Sequence, residues 1–328
     1  MNTTKVLTIV CWIVTATVLI SLTIWFLTGS AFRSFMSGRD SDGSSIFWGF
    51  NIGNIENLSG DFYERGSFNK SIDGIHSLKV DWIAGDITIE PYDGDSIKIT
   101  EYAQRELNEN ELMSISTNNG IITIKFNSQR RVRRAPPKRL EVQVPHSLIN
   151  NFQELVISAS SSKTTVTDTS ANNLKVNSVS GSINATGINA QTLSFNNVSG
   201  TTNISDATVR SATLVTVAGA IHTQSLIADK ISTSGVSAQV SLSGEFDDVD
   251  ASMVSGSITI KSAIVPDRVK VSTVSGGIAL YIPNEGEITV THSAVSGGFS
   301  SEVPAVIQNN GAYRFSAVSG STAIFILE

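Results

Sequence analysis

The chain contains 328 residues, carries a formal net charge of −6, and has only 16% charged residues. Ordinary soluble domains contain about 25% charged residues, so this surface is expected to be rich in Ser, Thr and Asn instead. The acidic balance argues against nucleic-acid binding, and the only cysteine, Cys11, leaves the rest of the chain free of thiols.

The first predicted element is a long apolar segment near the amino terminus. Residues 6–28 contain no charge, and a helix of this length crosses the roughly 30 Å of a bilayer core. The segment exceeds the roughly 7–15 apolar residues of a signal-peptide core, which favours an uncleaved transmembrane anchor. A cleaved signal peptide is the alternative, because Gly29-Ser30-Ala31 offers small residues to a peptidase. We predict a cytoplasmic segment at residues 1–5.

Residues 29–71 show no sustained hydrophobic period and mix Gly, Ser and Asn with scattered aromatic residues, so they are predicted to form an irregular linker. The aromatic side chains would lie either at the membrane surface or against the first coil of the body. Lysine and arginine are nearly balanced on the two sides of the anchor and scarcely decide its orientation. The polar, β-rich body favours an extracytoplasmic location and a single-pass protein of the cell membrane.

Alternating apolar residues begin near Ile75 and predict β-strands. Residues 78–83 and 87–90 flank a Gly-Asp turn. Residues 112–117 and 121–126 flank Asn118-Asn119-Gly120, which is a strong signal for an antiparallel hairpin. We therefore predict a partly antiparallel β cap at the start of the body, where it protects the first coil from edge pairing.

A basic run interrupts the composition between residues 130 and 139. Six cations in ten residues predict a binding site for anions such as lipid head groups, wall phosphates or an acidic peptide, since each Lys or Arg near an anionic membrane contributes about 1 kcal/mol. The alternative is a solvated loop whose charges and prolines prevent edge pairing. The candidate anion-binding residues are Arg130, Arg131, Arg133, Arg134, Lys138 and Arg139.

One short phrase, usually Val-Ser-Gly, returns along the second half of the chain at a spacing of about 20 residues, which is typical of solenoids. Each repeat has room for two strands and two turns but not for a crossover helix, so it must stack on its neighbours. We predict an all-β, parallel β-solenoid-like array within residues 72–328; an antiparallel β-sandwich is the alternative. The predicted structural turn glycines are Gly85, Gly181, Gly200, Gly219, Gly235, Gly256, Gly276, Gly297 and Gly320.

An acidic cluster and four histidines are the remaining candidates for a chemical site. Glu245, Asp247, Asp248 and Asp250 lack the spacing of a calcium loop, and they favour an exposed acidic turn over a cation site. The four histidines are far apart in sequence, and no nucleophile elbow or phosphate loop occurs. The sequence predicts no catalytic residue, no metal and no cofactor.

The sequence resembles the bacterial toastrack, or putative adhesin, family over about residues 72–328. The resemblance rests on the opening strand with its Gly-Asp turn at residues 78–90, the strand 140–145 that ends in Pro145, and the ladder of Ser-Gly turns. It implies a structural extracytoplasmic domain, often tethered by one helix and often linked with envelope-stress response modules. It implies no catalytic or ligand-binding residues.

Together these features predict a non-enzymatic, membrane-tethered scaffold that binds wall polymer, anionic lipid or a protein of the envelope. One alternative is a regulatory or sensory ectodomain that contacts a membrane signalling protein, and another is a carbohydrate-active β-helix enzyme. The apolar final segment, residues 322–328, has no polar cap, so it is also predicted to allow pairing between two copies of the chain.

Overall fold

The computed structural model describes residues 61–127 and 138–327. The predicted anchor at residues 6–28 and most of the predicted linker lie outside these ranges. Within them, no helix is long and apolar enough to cross a membrane.

The described chain is almost entirely β-structure, with a single four-residue helix, α1 (His146–Ile149). The alternation of buried and exposed residues along the strands agrees with the period-2 pattern of the sequence. The strands are β1 (Tyr63–Ser71), β2 (Ser77–Ala84), β3 (Ile87–Tyr92), β4 (Ser96–Ala103), β5 (Ser114–Asn118), β6 (Ile121–Lys125), β7 (Lys138–Pro145), β8 (Phe152–Ser161), β9 (Thr164–Ser180), β10 (Ile183–Ser262), β11 (Arg268–Ser275), β12 (Ile278–Ile282), β13 (Ile288–Ser296), β14 (Phe299–Ser301), β15 (Ala305–Ile307), β16 (Tyr313–Ser319) and β17 (Thr322–Ile326).

The repeats stack as parallel coils, as the sequence predicts. β9 pairs in parallel with β10 over most of its length, and equivalent residues meet, such as Leu174 with Leu193 and Val176 with Phe195. β10 bends around successive coils as one continuous strand and continues the stack to β11 and β12. Because each coil places apolar residues inside at the same positions, the stack encloses one continuous hydrophobic core.

An antiparallel cap covers the first coil, formed by β2 and β3. On one face β6 pairs in parallel with β2, and β5 pairs antiparallel with β6 through the predicted hairpin. On the other face β7 pairs in parallel with β3, and β4 and then β1 add antiparallel strands. The prediction of a partly antiparallel cap is confirmed.

The predicted irregular linker is too long at its carboxyl end, because Tyr63–Ser71 form β1. The sequence conceals this strand since most of its residues are exposed or half-exposed and its apolar residues do not alternate. Its conformation is fixed by backbone pairing with β4, from Tyr63 opposite Ala103 to Ser71 opposite Ser96. The alternation of apolar and polar residues cannot predict a strand in which neither face is buried.

The repeated turns form a column along the stack in which each layer lies against the backbone of the layer before it. Seven of the nine predicted glycines have a positive φ, and a Cβ on Gly200 would overlap the carbonyl oxygen of Gly181. Only a residue without a side chain fits such a position. The column runs through Lys138, Gly85, Ser162, Gly181, Gly200, Gly219, Ala238, Gly256, Gly276, Gly320 and Gly297.

Gly235 was predicted as a turn glycine, but it lies outside this column. The carbonyl oxygen beneath Gly256 belongs to Ala238, so the repeat phrase in this coil is Val236-Ser237-Ala238. Alanine is tolerated there because this turn does not require a positive φ. The correct register replaces the irregular spacing around Gly235 with steps of 19 and 18 residues, from Gly219 to Ala238 and from Ala238 to Gly256.

The last three coils do not stack in chain order. β16 lies between β11 and β13, and β17 lies between β12 and β14. The final segment is therefore held between two coils, and the prediction that residues 322–328 expose a pairing edge is wrong. The outermost coil is instead the one made by β13 and β14, which precedes the final coil in sequence, and β15 pairs with the outer edge of β13.

Candidate anion-binding end of the β array

The basic run begins and ends at the cap. Four of its six cations, Arg130, Arg131, Arg133 and Arg134, lie outside the described residues. The described chain stops at Asn127 before the run and resumes at Lys138. These two residues are in contact, because the Lys138 Nζ donates a hydrogen bond to the carbonyl oxygen of Asn127 at 3.1 Å.

Lys138 is not a surface cation, and its inclusion in the candidate anion site is wrong. Its side chain and that of Glu101 are both 0% exposed, and Nζ lies 2.8 Å from Glu101 Oε1. Nζ also donates to the carbonyl oxygen of Glu111 and lies 4.2 Å from the centre of the Phe126 ring. Burial lowers the pKa of Lys138, while the hydrogen bond and charge of Glu101 oppose this effect. Since its charge is already paired inside the protein, it cannot attract an external anion.

The sequence contains a signal for this burial. Lys138 precedes Leu140, Val142 and Val144 at intervals of two, and these three residues are fully or almost fully buried on one face of β7. In a β-strand every second residue points to the same face, so Lys138 shares the buried face. Arg139 has the opposite parity and is exposed.

A second ion pair closes the loop that lies beside Lys138. The two terminal nitrogens of the Arg105 guanidinium, Nη1 and Nη2, donate to the Glu111 carboxylate at 3.0 and 2.8 Å, and the Asn108 N–H donates to Glu111 Oε2 at 3.0 Å. These hydrogen bonds, from Arg105 first and then from the backbone of Asn108, lower the pKa of Glu111 to about 2. Glu111 also accepts from Lys138 through its carbonyl, so the ion pair fixes the loop against the buried lysine.

Arg139 joins the basic run to the start of the described chain. Its side chain is 46% exposed, and its guanidinium lies 4.0 Å from the centre of the Phe62 ring. Its Nε lies 3.7 Å from Asp86 Oδ2, which is a long, half-exposed ion pair. Phe62 is the second described residue after the amino-terminal segment. The basic run and the connection to that segment therefore emerge at the same end of the β array.

The acidic cluster lies far along the array and is partly neutralised by the neighbouring coil. Asp248 accepts hydrogen bonds from Arg268, including one from Nε at 3.0 Å, and Asp250 lies 3.4 Å from the Nζ of Lys270. Arg268 lowers the pKa of Asp248 chiefly by hydrogen bonding. No group of three or more potential metal ligands occurs within residues 61–127 and 138–327. These carboxylates connect β10 to β11.

The stacked parallel coils, the antiparallel cap and the column of turns define the class of the protein. The family model described as Toastrack DUF4097 matches residues 75–323, and the chain belongs to this family.

Several solved structures are similar to the chain. One, from Parabacteroides distasonis and named a putative adhesin, has a TM-score of 0.49 and 14% identity over 81% of this chain and 98% of its own. A second, named a putative adhesin from Bacteroides fragilis, has a TM-score of 0.42 and 12% identity over 82% and 98%. A third, also from Parabacteroides distasonis and named a putative lipid binding protein, has a TM-score of 0.41 and 14% identity over 81% and 97%. No curated protein sequence matches the chain significantly.

Proposed function

We propose that the protein is a non-enzymatic, membrane-tethered extracytoplasmic scaffold, and that the arginines of its basic run bind an anionic surface at the end nearest the anchor. The contact between Arg139 and Phe62 carries this proposal, because it places the basic run beside the connection to the predicted anchor. A helix at residues 6–28 would hold this end of the body at the membrane, and the array would extend away from it.

The distribution of charge supports this orientation. Residues 140–328 contain 8 Lys and Arg against 14 Asp and Glu, whereas the basic run concentrates positive charge at the cap. An anionic membrane or wall polymer therefore attracts the basic run and repels the array. Without Lys138 and the partly paired Arg139, the four arginines Arg130, Arg131, Arg133 and Arg134 contribute about 4 kcal/mol at low ionic strength, at about 1 kcal/mol each. The anchor would raise the local concentration of lipid head groups and make this weak attraction effective.

The proposal is tested by sedimentation of the body, beginning at Asp61, with vesicles of phosphatidylglycerol and phosphatidylcholine and separately with isolated cell wall. The test variant replaces Arg130, Arg131, Arg133 and Arg134 with Gln and keeps Lys138 and Arg139, which have contacts inside the body. The matched control makes the same change of charge on the array, by replacing the exposed cations Lys163, Arg210, Lys230 and Lys261 with Gln. Circular dichroism verifies that all three proteins are folded.

We expect the native body and the array control to sediment with anionic vesicles at low salt and to be released as salt rises. The arginine variant should stay in solution. Equal sedimentation of the arginine variant and the native body would show that the run is only a solvated loop. Binding to wall but not to vesicles would identify wall phosphate as the anion. Failure of all three proteins to bind either surface would refute the anion site and favour a protein partner at the membrane.

A further inference from the structure

A row of valines follows the turn column along the outside of the array. In eight consecutive layers of the stack, the residue two positions before the turn is valine. The strand registers place each of these valines beside the valine of the next layer. In stack order, this valine row consists of Val179, Val198, Val217, Val236, Val254, Val274, Val318 and Val295.

The valines point away from the hydrophobic core. Neighbouring residues in a strand point to opposite faces, and the residue before each valine faces inward. Those inward residues are buried in seven of the eight layers, as Asn197 and Met253 show with 2% exposure each. Six of the valines are half-buried between their neighbours, and Val236 and Val295 are 44% and 62% exposed. The row therefore forms a line on the outer surface, and its seven steps of about 4.8 Å make it about 34 Å long.

The valine row differs from the other outward-facing rows of the same strands. Two residues before each valine stands Asn, Ser or, in one layer, Val215, and the row before that is polar or charged. The preference of β-strands for branched residues would act on these rows equally, so it does not explain why valine fills one row alone. Single apolar residues are common on protein surfaces, but a contiguous apolar line marks an interaction site.

The surface beside the row carries no charge. In each layer, the residues from four before the turn to the turn itself include no Asp, Glu, Lys or Arg. On the turn side, Ser or Ala and then Gly or Ala follow each valine, so a shallow furrow runs next to the row. The nearest charged row, which includes Lys270 and Arg314, lies four residues before the valines, or about 13 Å along the strand. A second protein surface can therefore reach the row without burying a charge.

We propose that the valine row pairs two copies of the chain side by side, through a two-fold axis parallel to the array. This symmetry sets each layer opposite the same layer of the other copy, so that the valines of one copy pack into the furrow of the other at every step. A second copy repeats its valines at the same spacing along the whole row, which an irregular protein surface does not. The parallel direction rests on the proposed function, because an anchor in one membrane would hold the same end of both copies.

The size of the surface is sufficient for a weak dimer. Five residues at about 3.3 Å give a width of about 16 Å, and eight layers at about 4.8 Å give a length of about 38 Å. The surface of each copy is then about 600 Å² and the dimer interface about 1,200 Å², at the lower limit of specific interfaces. We expect dissociation in the micromolar range, and a common membrane would favour the dimer by raising the effective concentration of the two copies.

The first test uses the full-length protein in detergent micelles and measures its dissociation constant by sedimentation equilibrium. The test variant Val236→Lys/Val254→Lys places two charges in the middle of the row. The matched control Ser241→Lys/Thr259→Lys places the same charges in the same two layers, at half-buried outward positions on the opposite face of the array. Circular dichroism verifies that the three proteins are folded.

The second test measures the direction of pairing by cross-linking in liposomes, with Cys11→Ser as the background. In the parallel pair, the cysteine of Val198→Cys in one copy lies next to the same residue of the other copy, and a short bis-maleimide joins them. Asn203→Cys is the control, because it lies in the same layer but on the opposite face of the array. Val198 is near one end of the row, so antiparallel copies would hold the two cysteines several layers apart.

We expect a dimer for the native protein and the control, and a dissociation constant raised at least about tenfold, or about 1.4 kcal/mol, for the row variant. Cross-links should form through Val198→Cys but not through Asn203→Cys. A native protein that stays monomeric at high micromolar concentration would overturn the proposal, and so would a dimer that the row variant leaves intact. A dimer that depends on the row but does not cross-link through Val198→Cys would overturn the parallel direction. Binding of the body to anionic vesicles depends on the arginines and not on the valine row, so it reports a failure of the proposed function separately.

Discussion

The replacement of Lys138 by Met tests the physical account of the cap. Methionine has a similar length and no charge, so the Lys138→Met variant fills the site but leaves Glu101 buried without its counter-ion. Of the hydrogen bonds that the described residues make to the Glu101 carboxylate, the one from the N–H of Met113, at 2.9 Å, remains. The carbonyl oxygens of Glu111 and Asn127 also lose their donor. Breaking a buried ion pair from one side costs about 3–5 kcal/mol, and we expect a loss in this range.

Urea unfolding followed by circular dichroism measures this loss. Lys270→Met is the control, because Lys270 is 58% exposed in its pair with Asp250 and such surface pairs contribute at most about 1 kcal/mol. The double variant Lys138→Met/Glu101→Leu removes both charges and should recover much of the lost stability, since the carboxylate is no longer buried alone. If Lys138→Met costs no more than Lys270→Met, the lysine is solvated in solution and the buried pair at the cap is wrong.

Three further predictions concern other parts of the array. Gly200→Ala should lower the free energy of unfolding by about 3 kcal/mol or more, because φ at Gly200 is +132° and the added methyl group overlaps a backbone carbonyl. Gly277→Ala is the control and should cost less than about 1 kcal/mol, because no atom lies near its Cβ. Equal effects of the two substitutions in urea unfolding would contradict the turn column. Tyr313→Phe should cost about 1–2 kcal/mol, because it removes the 2.6 Å hydrogen bond to the carbonyl oxygen of Pro266 inside the protein; a neutral result would argue against the placement of the final coil. Glu111→Gln should remove part of the pH dependence of stability in acid: the folded-state pKa of about 2 lies below the ordinary value of 4.5, so the native carboxylate stabilises the protein above pH 4.5 and this contribution is lost as the pH falls towards 2. Urea midpoints measured across that range should therefore converge for the native protein and the variant at low pH, and parallel curves would refute the assignment.

The coils could be predicted because their signals are local. Each coil repeats the same alternation and the same small-residue turn, and the hairpin at Asn118-Asn119-Gly120 specifies its own geometry. The sequence also shows the basic run, but the charge pattern does not show which of its residues are buried. Charge composition assigned Lys138 to the surface, although its parity with Leu140 and Val142 places it inside. Where the two disagree, the position of a residue in the alternation of a strand predicts its burial better than its residue type does.

Other features depend on contacts that are distant in sequence. β1 is a strand because its backbone pairs with β4, and its own residues show no alternation of apolar side chains that would predict a strand. The final coil is inserted between two earlier ones, although the step from Gly297 to Gly320 resembles the other steps of the repeat. Because repeated strands present equivalent edges, the sequence of a coil does not specify which neighbour it stacks on. The coil at the far end of the array could therefore not be identified from the sequence.

The most direct test of the proposed scaffold measures how the body is oriented on the membrane. Full-length protein with Cys11→Ser is reconstituted in nanodiscs with an acceptor dye in the lipid, and a donor dye is attached through Glu64→Cys at the cap or Ser300→Cys in β14 at the opposite end of the array. The turn column has ten steps from Lys138 to Gly297, and Glu64 lies two strands beyond Lys138, so the two dyes are separated by about twelve steps of about 4.8 Å, or about 58 Å. We predict strong energy transfer from the cap, weak transfer from the opposite end, and a smaller difference when Arg130, Arg131, Arg133 and Arg134 are replaced with Gln. Equal transfer from both positions in the native protein, or stronger transfer from Ser300→Cys, would contradict the proposed orientation, in which the end with the basic run faces the membrane.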